Sequence, residues 1–134
     1  MAEPFIFINT YRIKPGHEDE YLKAFGEVAD IVKAEEPKML YFAEHISEDG
    51  SEATTVQVHA DADNMAHHME LVGDHIREAA QYLDFSSMSI RIYGSPGQHV
   101  LEQMRELAGS GVSVTVSPAV VSVSRLPTTT EQTS

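Results

Sequence analysis

The chain has no cysteine and no tryptophan among its 134 residues. The first absence excludes disulfides, thiolate metal centres and a cysteine nucleophile. Basic residues are also scarce, with nine Lys and Arg against 21 Asp and Glu and a formal charge of -12. Phosphate contacts need a basic face, so neither nucleic acid nor an acidic membrane is an expected partner. No apolar run approaches the roughly 18 residues that span a bilayer. The N-terminus lacks the basic start and apolar core of a signal peptide, and a cytoplasmic location is the resulting expectation. Gly-x-Ser-x-Gly, phosphate-loop and dinucleotide glycine patterns are missing too, which leaves nucleophilic and nucleotide chemistry without a motif.

What is present suits one folded domain. Hydrophobic content of 42% and charged content of 22% are ordinary for a soluble globular chain. Phe5 to Lys14 alternates as a strand, with Phe5, Phe7, Asn9, Tyr11 and Ile13 on one face and Ile6, Ile8, Thr10 and Arg12 on the other. Pro15-Gly16 ends it. From His17 to Glu36 the apolar positions Leu22, Phe25, Ala29 and Val32, flanked by Tyr21 and Val28, form an amphipathic stripe, and Pro37 stops the helix. Met39 to Ser47 and Glu52 to Ala60 flank Asp49-Gly50, a hairpin signal. A two-residue turn there sets Tyr41 opposite Val58 and Phe42 opposite Gln57. One hairpin face is then apolar, while the other mixes Phe42 with Glu44, Gln57 and His59, as a pocket wall would.

A second helix is expected from Asp61 or Ala62 to Leu83, with Met65, Met69, Val72, Ile76 and Ala80 in its stripe and Gly73 as a weak point. Ser86 to Tyr93 reads as a fourth strand. Gly94-Ser95-Pro96 then supplies a stop, an N-cap and a first-turn proline for a short third helix through Val100, Leu101, Met104 and Leu107. Val112 to Arg125 reads as a bent or edge strand broken at Ser117-Pro118. The order predicts an α+β fold, a ferredoxin-like split βαβ (β-α-β-β-α-β) with an added C-terminal helix and strand. Residues 1–126 form one domain in this reading, with a core at 5–94, an extension at 95–126 and a disordered tail at 127–134. Helices cover only one face of such a sheet, and a second copy of the chain is the simplest cover for the other.

Four of the seven histidines, His59, His67, His68 and His75, gather between Gln57 and His75. Histidine titrates nearest neutrality, so the cluster points to proton transfer, metal ligation or a polar pocket. Seven residues place His68 and His75 on one helical face but roughly 10 Å apart, too far to share an ion, while His67 points to solvent. Asp63 and His67 have i,i+4 spacing but no third ligand. Asn9 is a stronger candidate. An amide among Phe5, Phe7 and Tyr11 costs roughly 1 to 3 kcal/mol unless something bonds to it, whether a neighbour, water or a ligand.

Through Ile8-Asn9-Thr10-Tyr11-Arg12-Ile13-Lys14-Pro15-Gly16, the hairpin, and the strand-to-helix passage ending Ala66-His67-His68, the chain resembles the antibiotic-biosynthesis monooxygenase family of dimeric α+β barrels. The resemblance implies a homodimer and a pocket for a small apolar or aromatic molecule between sheet and helices. It also implies the family's cofactor-free oxygenation of phenols and quinols, with no metal and no organic cofactor. Asn9 matches a functional asparagine of the haem-degrading branch, yet that branch's tryptophan would fall near His59 and is absent. His68 matches the histidine of the quinol-oxygenase branch, and Gln57 stands where a glutamate is common. The expected site therefore comprises Asn9, His68 and His75 as catalytic groups, with Phe7, Tyr11, Phe42, Gln57, His59, Met69 and Val72 holding the substrate. A non-catalytic binding or structural dimer is the alternative.

Overall fold

A computed structural model describes residues 4–108 and 112–126 of the chain. Its elements are β1 (Phe5–Ile13), α1 (Glu18–Glu35), β2 (Tyr41–Ile46), β3 (Glu52–His59), α2 (Ala62–Ala79), β4 (Leu83–Tyr93), α3 (Gln98–Ala108) and β5 (Ser113–Ser117). They form the expected α+β, ferredoxin-like order with an added helix and strand. The sheet runs β2-β3-β1-β4-β5, antiparallel except for the β4–β5 pair. β5 therefore pairs within its own chain. The expected tail at 127–134 lies outside the described residues.

β1 is hydrogen-bonded on both sides, and its alternation decides what faces the helices. Phe5, Phe7, Tyr11 and Ile13 are buried under α1 and α2, joined by Ala53, Ile90 and Ile92. The hairpin has the expected register, with Tyr41 opposite Val58 and Phe42 opposite Gln57. Its turn is held by Asp49, which accepts from the Ser47 hydroxyl and from the Ser51 amide and hydroxyl, and these bonds hold the carboxyl down at about 2. The opposite face of the sheet carries Ile6, Ile8, Val56, Val58, Tyr41 and Tyr93, of which Ile6, Tyr41 and Tyr93 are 37%, 47% and 39% exposed.

Several boundaries differ from expectation for local reasons. In α1 the buried residues are Tyr21, Val28 and Val32, whereas Leu22 is 43% exposed, so the helix is rotated by about one residue from the stripe read in the sequence. α2 ends at Ala79, and a single 3-10 turn at Ala80–Tyr82 delivers Leu83 into β4 rather than into the helix. β4 bulges where the β1 register shifts between Thr10 and Arg12, and the Ser87 hydroxyl accepts the Arg12 amide there. α3 begins at Gln98, so Gly97, not Ser95, stands just before its first turn. β5 stops at Ser117, because Pro118 has no amide hydrogen to continue the ladder.

Two glycines test this packing in opposite directions. Gly94 has φ +123, and a Cβ built there would lie 2.7 Å from Phe5 Cβ. Gly73 lies inside α2, where a Cβ would meet only the Arg77 guanidinium at 3.7 Å. In urea denaturation, Gly94→Ala is expected to destabilise by about 2 kcal/mol or more. Gly73→Ala is expected to stabilise by about 0.5 to 1 kcal/mol.

Candidate active site

The inward faces of β1 and β3 and the overlying helices enclose a cavity of about 200 Å³. Most of its wall is apolar, contributed by Phe7, Phe25, Val28, Phe42, Met69, Ile76, Met88 and Met104, while the solvent-exposed Arg77 and Phe85 stand at its edge. The polar groups on the wall are concentrated on one patch. Asn9 pairs with Thr55 across the β1–β3 ladder, Phe7 pairs with Gln57, and Tyr11 follows Asn9 on the same face.

Asn9 is the unsatisfied member. Its Oδ1 is buried without a hydrogen-bond partner. Such a group costs roughly 1 to 3 kcal/mol, and a ligand in the cavity that bonds to it would recover part of that.

Behind one part of the wall lies a histidine network. His59 Nε2 donates to Gln57 Oε1 at 2.7 Å, and His59 Nδ1 accepts from the Asn64 amide at 2.9 Å. Its ring also stacks on Phe5, with centroids 5.3 Å apart. Burial, with a smaller contribution from neighbouring His68, pushes His59 down to about 3, so it stays neutral. His68 donates from Nδ1 to Glu36 Oε2 at 2.7 Å, and both side chains are fully buried. That bond leaves His68 Nε2 and Glu36 Oε1 buried without partners. The Asp61 carboxylate, which caps α2 by accepting from the Asn64 amide nitrogen of the backbone, fixes where these residues enter the helix.

A second network closes the other part. Tyr21 donates to Glu44 Oε2 at 2.5 Å, and Tyr11 donates to the same oxygen at 2.9 Å. The two tyrosine hydroxyls touch each other, and Thr55 Oγ1 lies 2.9 Å from the Tyr11 hydroxyl. Burial raises the Glu44 carboxyl above its ordinary range, against the hydrogen bonds that it accepts. Burial and the nearby carboxylate also raise the Tyr11 phenol; burial, then Tyr11 and Glu44, raise that of Tyr21.

Of the residues expected from the sequence, Phe7, Asn9, Tyr11, Phe42, Gln57 and Met69 line the cavity. His59 and His68 are one layer back, His59 bonded to Gln57 and His68 beside Phe42 with ring centroids 5.4 Å apart. Val72 is buried with Val28 and Val32 in a separate cluster. His75 is not on the wall, and its Nδ1 is buried without a partner. Tyr21, Thr55 and Glu44 are the residues that the sequence reading left out. The inward alternation of the hairpin carried a signal for Glu44, but nothing local pairs it with Tyr21. Among the described residues, no three His, Asp or Glu side chains gather as a metal ion would require. No helix there is long and apolar enough to cross a membrane.

A sheet of this order carrying an apolar cavity under two helices defines a ferredoxin-like α+β protein with an internal ligand-sized site. The model of the antibiotic biosynthesis monooxygenase family matches residues 4–82, and the chain belongs to that family. No curated protein matches it. Among solved structures it is similar to MupZ from Pseudomonas fluorescens, with a TM-score of 0.70 at 17% identity over 93% of this chain and 91% of that one. SnoaB, a cofactor-independent oxygenase from Streptomyces nogalater, gives 0.58 at 15% identity over 72% and 97%. A conserved protein from Methanosarcina mazei Go1 gives 0.61 at 13% identity over 69% and 92%. At these identities the likeness is one of fold.

The neutral burial of His59 has a consequence for acid stability. Above its ordinary value near 6.5, folded and unfolded chains both hold it neutral. As the pH falls below that value the unfolded chain takes up a proton that the folded chain refuses until about 3, so stability is lost across this window. Urea midpoints measured from pH 7 to 4.5 are expected to fall in the wild type and to fall less in His59→Gln, which keeps a donor and an acceptor for Gln57 and Asn64.

Proposed function

We propose that the chain is a cytoplasmic homodimeric monooxygenase that binds a small aromatic phenol or quinol in the cavity and oxygenates it without a metal or organic cofactor. The observation that carries this reading is the unbonded Asn9 Oδ1 on the wall of a largely apolar cavity. A phenol O–H of a bound ligand can donate to the unbonded Asn9 Oδ1, and an N–H of the same carboxamide can stabilise the oxyanion as it develops, in surroundings that raise the strength of the bond. Membership of the family supports the reaction class, and SnoaB, described as a cofactor-independent oxygenase, supports chemistry on this fold without an added group. The exposed Ile6, Tyr41 and Tyr93 on the open face of the sheet support the dimer, since a contiguous apolar patch favours a cover. A cysteine-free chain suits the reducing cytoplasm.

His68 and His75 remain the histidine candidates for proton transfer in this reading. His68 is held by Glu36 through Nδ1, packs beside the Phe42 ring and does not line the cavity. The same setback favours a second reading, a dimer of this fold that binds a ligand without turning it over.

Oxygen uptake by the purified protein with a panel of anthrones and hydroquinones separates the two. Turnover is expected for at least one compound, and Asn9→Ala is expected to lower kcat by roughly 10²-fold or more. Binding of the same compounds with no oxygen consumed at any pH would favour the second reading.

A further inference from the structure

One cluster on the cavity wall has no part in the scheme above. Tyr11, Tyr21 and Thr55 line the cavity, whereas Glu44, to which the two phenols donate, is not among the residues that line it. The cluster joins four elements: Tyr11 from β1, Tyr21 from α1, Glu44 from β2 and Thr55 from β3. It lies beside Asn9, which precedes Tyr11 by two positions on one strand face and pairs with Thr55. The histidines are less well placed. His59 uses both ring nitrogens in hydrogen bonds, and His68, beside Phe42, is not among the lining residues.

We infer that Tyr11, Tyr21 and Glu44 form a proton relay that takes the hydroxyl proton from a phenolic ligand in the cavity. Each tyrosine donates its hydrogen toward Glu44, which leaves oxygen lone pairs to accept a hydrogen bond from the ligand. The ligand O–H bond breaks as its proton bonds to a tyrosine oxygen, while that tyrosine's own proton passes to Glu44 Oε2. The tyrosine is neutral before and after, Glu44 becomes a carboxylic acid, and the ligand becomes a phenolate next to the Asn9 amide. This rests on the oxygenase reading for its next step. Dioxygen takes two electrons from the phenolate ring, a carbon–oxygen bond forms, and the Glu44 proton returns by the reverse path to the terminal peroxide oxygen, giving a neutral hydroperoxide.

The groups facing Glu44 are the two phenols, the Thr55 hydroxyl and the backbone of His45 on its own strand. Burial raises the carboxyl of Glu44, which makes it a better proton acceptor, and raises both tyrosines, which keeps them neutral carriers.

4-Nitrophenol tests the relay apart from oxygen chemistry, because its phenolate is yellow and its neutral form is not. Added to the intact wild-type protein at a pH where the free probe is largely neutral, it is expected to show the phenolate band when bound, and the band is expected to fade as acid protonates Glu44. In Glu44→Gln and in the double variant Tyr11→Phe/Tyr21→Phe the probe is expected to bind within about threefold of wild type by calorimetry, with the band lost; Tyr21→Phe alone, which keeps the Tyr11 bond to Glu44, is expected to weaken it, and Glu44→Asp to restore part of what Glu44→Gln removes. With an oxidisable anthrone, Glu44→Gln is expected to lower kcat by roughly 10²-fold, leave KM nearly unchanged and remove the acid limb of the pH profile. A bound probe that stays colourless in wild type, or a band that survives in Glu44→Gln and in the double variant, overturns the relay. A band that behaves as expected in a protein that consumes no oxygen upholds the relay and refutes the oxygenase reading. Oxygen uptake unaffected by either variant does the reverse.

Discussion

Everything at the site depends on the register of β1. That strand is paired on both sides, with Asn9 opposite Thr55 in β3 and opposite Ile90 in β4. A shift of one residue would turn Asn9 and Tyr11 to the open face and bring Ile8 and Thr10 under the helices. The inward anchors Phe5, Phe7 and Ile13 oppose such a slip, since each is at most 5% exposed and would have to return to water. The same bonds that hold the sheet together therefore also hold an amide in an apolar cavity.

The two polar networks differ in kind. Glu36 and His68 form a fully buried pair in which each retains an unbonded atom, so its net worth to stability is small even though removal of one partner would strand the other. It also anchors the end of α1 to α2, since Glu36 caps α1 through its backbone amide. In the Glu44 cluster only Glu44 itself is half-buried, while Tyr11, Tyr21 and Thr55 are buried and line the cavity, and its members come from both layers. One network ties two helices together, and the other ties together residues that line the cavity.

Much of this was legible in the sequence because it depends on local periodicity. Alternation in Phe5 to Ile13 identified the inward face, and the Asp49-Gly50 turn fixed the pairing of Tyr41 with Val58. The helix rotation was not legible. Tyr21 and Leu22 are both compatible with the stripe, and the choice is made by Glu44 and Tyr11, which are distant in sequence. The same reason hid the second network. His68 stood out as a histidine of the right motif, but it is buried off the cavity wall against Glu36, 32 residues away, which no spacing rule gives. Asn9 stood out because a polar amide amid aromatic neighbours is anomalous on any packing.

The central claim is that the Asn9 Oδ1 is unbonded in the free protein and that the Asn9 carboxamide bonds to a ligand in the cavity. The chain has only two asparagines, Asn9 and Asn64, and Asn64 is already bonded to His59. Selective nitrogen-15 labelling of asparagine therefore gives two side-chain amide signals, assigned by the loss of one in Asn9→Ala. On titration with a phenolic ligand, the account predicts a large shift and slower solvent exchange at the Asn9 signal, with little change at Asn64. Saturable binding that leaves the Asn9 signal in place would contradict it.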